Sequence, residues 1–129
     1  MVAHEHMLYG DAVINAIDAD ERFEVVAHAL DGWEVLELAP AFRPDVLVTN
    51  AKLPVLDGTE IAHRLRTSCP ATRIVLVGAT RELTDLLEAH DAGAAAYLGP
   101  DSTLDDLLAT VAEAVGDAAE PLGRPVRRA

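Results

Sequence analysis

Two short apolar runs do most to limit the folds open to this chain. VLVT (46–49) and IVLV (74–77) are continuous, rich in β-branched residues and one strand long. A run without alternation marks a strand buried on both faces, the pattern of a parallel sheet. Between them Ile61 and Leu65 share one face of a helix opening near Thr59, after the turn residues Pro54 and Asp57-Gly58. The alternation extends in both directions. Gly10, Val13, Ile14 and Ile17 recur at helical spacing within residues 6–19, FEVVAH (23–28) reads as a strand, and Val35, Leu36 and Ala39 mark a helix after Asp31-Gly32. Pro40 is expected to end or bend that helix early. Downstream, Leu83, Leu86, Leu87 and His90 share a helical face closed by Ala92-Gly93, and residues 95–98 form a short strand. The final helix is expected to start at Asp101-Ser102, with Ser102 and Asp105 as a capping-box-like pair and a stripe of Leu104, Leu107, Leu108, Val111 and Val115.

Strands alternating with helices over short loops predict an α/β fold with a parallel sheet. The strand before the first helix has only Met1, Val2 and Ala3 to draw on, so it is truncated. At 129 residues the chain suffices for one domain, placed at residues 1–116. Residues 117–129 lose all periodicity and read as a linker or disordered tail. Hydrophobic residues are half of the chain but aromatic ones only 4%, so the core is aliphatic and alanine-rich. Residues 1–120 carry seven basic against all 22 acidic side chains, a balance of −15, which argues against a phosphate-backbone partner. Arg124, Arg127 and Arg128 in the tail are too few to reverse that. Cys69 is alone, which excludes an internal disulfide. The first ten residues are not a signal peptide and no segment is long enough to span a membrane, so a cytoplasmic location is expected.

PDVLVTNAKLPVLDG (44–58), then IVLV, then AGAAAYL (92–98) before a last helix resemble the receiver domain of bacterial two-component response regulators. FEVVAHALDGWEVLELA (23–39) adds the pattern of the NarL/LuxR-type subfamily, whose members usually carry a helix-turn-helix output domain that these residues lack. The resemblance runs without a gap from about Glu5 to Val115. It implies a flavodoxin-like (CheY-like) three-layer α/β/α fold with a five-stranded sheet in the order 2-1-3-4-5. In that order the truncated first strand lies mid-sheet, so a domain of reduced stability, or one completed by dimerisation, is expected.

The resemblance also implies a site. In the family an aspartate ending strand 3 accepts a phosphoryl group with the help of Mg²⁺, two acids after strand 1, a Thr or Ser ending strand 4 and a Lys ending strand 5. Here the aspartate position holds Asn50, the acid pair is His4 and Glu5, the hydroxyl position is Gly78, and the lysine position is Pro100 or deleted. An amide is a poor nucleophile and a weak ligand for a hard cation, and phosphoryl transfer depends on positioning and charge neutralisation. The sequence therefore implies a degenerate, non-catalytic, phosphorylation-independent receiver that needs no cofactor, with Glu5 at most a weak Mg²⁺ ligand. Tyr97 takes the family's switch-aromatic position, and Gly78 leaves a void, so the ring is either held inward over Gly78 or turned outward as a partly exposed tyrosine with no switching role, and the sequence does not separate the two. The expected partner is a protein or a second copy, met through helix 5 and the face of helix 4, strand 5 and helix 5, in transcriptional control. A small-ligand sensor using Asn50, Gly78 and Tyr97 is the alternative, and a conventional phosphorylated receiver the less favoured one. His4 and His6 alternate as metal ligands on a strand would, but they lack a third and fourth partner. Lys52, His28 and His63 read as surface residues, and His90 as a histidine at the core's edge.

Overall fold

The computed structural model describes residues 1–4, 7–78 and 82–118, excepting the side chains of residues 7–9, 117 and 118. Among the described residues five strands alternate with five helices: β1 (Val2–Ala3), α1 (Met7–Asp18), β2 (His28–Ala29), α2 (Gly32–Phe42), β3 (Val46–Asn50), α3 (Gly58–Ser68), β4 (Arg73–Val77), α4 (Leu83–Asp91), β5 (Ala96–Leu98) and α5 (Leu104–Ala118). The strands form one parallel sheet in the order β2-β1-β3-β4-β5, the flavodoxin-like, CheY-like arrangement.

Alternation along β3 builds the two layers. Leu47 joins Val35, Ala39, Ile61, Ala62, Leu65, Ala89 and Ala92 under α2, α3 and α4. Val46 and Val48 join Val13, Ile17, Leu107, Val111 and Val115 under α1 and α5. Both sides of the sheet are covered, which is why the strands read as unbroken apolar runs.

The structure corrects four local expectations. The ladder of β2 covers only His28–Ala29 where FEVVAH (23–28) was the predicted strand, because β1 offers only Val2 and Ala3 as partners. Pro40 lies inside α2, which continues to Phe42 before Arg43 closes it at φ 47° with its N–H on the Ala39 carbonyl. Proline costs little there, since it is exposed and in the last turn. The capping box of α5 is one residue late. Thr103 Oγ1 accepts from the Asp106 N–H at 3.0 Å, and the Asp106 carboxylate accepts from the Thr103 N–H at 2.9 Å. On α4 the stripe of Leu83, Leu86, Leu87 and His90 faces solvent, while Ala89 does the burying.

Candidate functional site

Strand register gathers the positions singled out in the sequence along the carboxyl edge of the sheet. Ala3 lies opposite Thr49, Asn50 opposite Val77, and Val77 opposite Leu98, so the residues that follow or end each strand form a row of His4, Asn50, Gly78 and Gly99-Pro100. The row is held by main-chain bonds: Ala51 N–H to the Val77 carbonyl and Gly78 N–H to the Leu98 carbonyl, each 2.8 Å. Strand order reverses between β1 and β3, where open α/β sheets place their ligands, and His4 and Asn50 flank that point.

No residue of the row itself carries a carboxylate. Asn50 is half-buried at the end of β3, and Thr49 beside it is buried with its hydroxyl donated to the Asn50 carbonyl at 3.1 Å. His4 and Asn50 share the wall of a cavity of about 10 Å³, room for roughly one water. His4 also borders a cavity of about 60 Å³ with Asp11 and His28, yet no group of three His, Cys, Asp or Glu among the described residues is placed to hold a metal. Glu5 and His6 lie outside the described residues. A hard divalent cation wants several oxygen ligands, and the described residues of the row, an imidazole, an amide, a glycine and a proline, supply few of them for the Mg²⁺ that such a fold implies.

Tyr97 sits in β5 opposite Leu76 and packs against the layer of α2, α3 and α4. Its ring lies over Gly78. A Cβ built on Gly78 would overlap the Tyr97 hydroxyl and come within 2.9 Å of Cε2. The ring thus occupies the space that a side chain at position 78 would need. Pro100 is exposed just beyond β5. Lys52 reaches Asp57 at 3.3 Å across the loop after β3, with both side chains largely in solvent. His28, His63 and His90 are all exposed, so His90 is not a core-edge residue.

Sequence reasoning missed three features. Leu30, Trp33 and Val55 are exposed together near the α2 start. Val55 has φ 74°, a left-handed conformation rare for a β-branched residue. At the other end of the sheet the Met1 amino group is buried, donating to the Val46 carbonyl at 2.8 Å. Desolvation lowers its pKa from 8.0 to about 5, opposed by the Asp45 carboxylate. The signals available were the single tryptophan in a chain poor in aromatics and a first strand with only Met1, Val2 and Ala3 to draw on.

A doubly wound parallel sheet with its row of loop residues at the strand-order reversal is a receiver-like α/β architecture. The model of the response regulator receiver domain family matches residues 1–112, and the chain belongs to that family. It is 32% identical over 111 residues to the "probable transcriptional regulatory protein NarL" of Mycobacterium tuberculosis, covering 86% of this chain and 51% of that one. With the transcriptional regulatory protein PdtaR of the same organism it shares 36% identity over 97 residues, 74% of this chain and 46% of the relative. The solved receiver domain of the Mycobacterium tuberculosis NarL superposes with a TM-score of 0.83 at 32% identity, over 87% of this chain and 90% of that domain. The chain spans about half the length of these curated relatives. It is therefore a receiver domain of the two-component type, similar to that of NarL. No helix among the described residues is long and apolar enough to cross a membrane.

Proposed function

We propose that this receiver works without phosphoryl transfer, as a non-catalytic regulatory module that acts by protein contact. One observation carries the reading: the Tyr97 ring fills the space over Gly78, on an edge where Asn50 and Pro100 stand at the acceptor and lysine positions. No side chain remains at position 78 to draw the ring inward on phosphorylation, and the ring is already inward. The α4–β5–α5 face is then held in one state. That face carries exposed Leu83, Leu86 and Leu87 on α4 and Leu104 at the start of α5, the apolar surface for a partner protein or a second copy. NarL and PdtaR are named as transcriptional regulatory proteins, and we place this module in the same kind of system.

The test compares amide NMR spectra of the wild type and of Asn50→Asp, each before and after Mg²⁺ with beryllofluoride. The expected wild-type spectrum does not change. A response confined to Asn50→Asp makes the amide the single lock, and silence from both spreads the loss over the whole edge. Wild-type shifts converging on residues 78–100 would overturn the reading.

A further inference from the structure

A second apolar surface lies away from α4, where the loops after β2 and β3 are joined. The Gly32 N–H donates to the Pro54 carbonyl at 3.2 Å, and a Cβ on Gly32 would lie 2.5 Å from the Leu56 Cβ, so only glycine allows this approach. Trp33 follows Gly32 and Val55 sits between Pro54 and Leu56. With Leu30 they leave three large apolar side chains 44%, 55% and 62% exposed at one junction (Leu30, Trp33 and Val55 in turn). Val55 holds φ 74° as the central residue of a γ-turn closed by the Leu56 N–H on the Pro54 carbonyl at 2.9 Å, and its side chain is exposed to solvent. The turn thus presents Val55 outward beside Leu30 and Trp33, and a cluster of exposed apolar side chains of this kind marks a contact surface.

The surroundings are acidic. Asp31 caps α2 by accepting the Glu34 N–H at 2.9 Å, Glu34 accepts the Leu30 N–H at 3.1 Å, and exposed Glu37 lies one helical turn beyond Trp33. On the other loop Asp57 stands beside Lys52, the one cation among the described residues of these two loops.

We propose that this junction docks a basic amphipathic segment of a partner protein, with apolar side chains on Leu30 and Val55 and an arginine or lysine over the Trp33 ring. Charge complementarity selects that occupant. A second copy would bring the same acidic rim on a chain of net charge −12, and a nucleic acid would be repelled. A cation over an indole face adds attraction that an aliphatic patch alone would not give. The proposal does not depend on the absence of phosphoryl transfer.

Trp33 is the single tryptophan, so its emission reports on the junction directly. The probe is a synthetic helical peptide with leucine on one face and arginine and lysine on the other. Titration is expected to shift Trp33 emission to the blue and saturate at micromolar peptide. Val55→Asp and Leu30→Asp, which keep the reporter, are expected to weaken binding by about tenfold or more. Thr67→Asp on α3, an exposed position away from both apolar surfaces, should leave it unchanged. The proposal is overturned if no shift occurs, if Val55→Asp binds like the wild type, or if an equally charged peptide without leucine gives the same shift. A blue shift on concentrating the protein alone would overturn it too, by assigning the junction to a second copy.

Discussion

The two edges of the sheet reverse the usual placement of charge. At the carboxyl edge the described residues that end or follow β1, β3, β4 and β5 are His4, Asn50, Gly78 and Gly99-Pro100, with Glu5 outside the described residues. At the amino edge, where nothing ionised is needed, an α-amino group is buried against the Val46 carbonyl. In the described row the packing is plain, since the Tyr97 ring lies over Gly78. An edge that buries an ionisable group ties the stability of the whole fold to pH. The difference separates what each edge contributes: the first concerns signalling, the second concerns stability.

The largest expected effect tests the amino edge. With a free α-amine at Met1, the native state keeps the group neutral down to about pH 5, while the unfolded chain protonates it below pH 8. Between those limits the unfolded state binds the extra proton, so stability rises with pH. The contribution is fully present above pH 8 and is lost as pH falls towards 5, by about 4 kcal/mol in all. Urea unfolding across that range should show the midpoint falling as pH drops. Acetylating the amine, or fusing residues upstream so that an amide replaces it, should remove most of this slope. Parallel curves for the free and blocked chains would mean that the amino edge is not under electrostatic strain.

The next effect tests the carboxyl edge. Gly78→Thr places a Cβ where the Tyr97 hydroxyl lies. The cost is expected at roughly 1–3 kcal/mol, as overpacking usually is, together with greater exposure of the ring. The double variant with Tyr97→Ala removes the overlap, so the two substitutions should be strongly non-additive in a double-mutant cycle. Additive losses would show that the ring does not depend on the glycine.

Legibility followed how local each determinant is. β3 and β4 were plain because burial on both faces writes an unbroken apolar run, and their register brought Asn50 and Gly78 into the expected row. β2 was misplaced because a strand needs a partner, and the length of β1 sets how much of residues 23–29 can pair. The leucines of α4 have true helical spacing, but periodicity alone does not say which face is buried, and the small Ala89 and Ala92 seat that segment on the core. Thr103 took the capping role because its side chain and that of Asp106 both reach a free N–H, a geometry that Ser102 and Asp105 match equally well on paper. The space over Gly78 was legible from its missing side chain, but the turn of the Tyr97 ring into it was not, because the same residues allow an outward ring. The Trp33 junction was not, because it arises from a turn conformation and a contact between loops that are distant in sequence.

The smallest effect compares strain with charge near the carboxyl edge, in the loop leaving β3. Val55 is 62% exposed, so replacing it removes little buried surface. What changes is the backbone: glycine accepts φ 74° without the clash that a β-branched side chain creates. Val55→Gly is therefore expected to stabilise the fold by about 1 kcal/mol, reduced somewhat by the greater freedom of glycine in the unfolded chain. Urea unfolding should move the midpoint upward without changing the slope. Under the docking proposal the same variant binds the basic peptide more weakly, so stability and binding move in opposite directions. A variant that loses stability would show that Val55 is held by packing rather than strained. A gain in stability with binding unchanged would remove Val55 from the contact surface and count against the docking proposal.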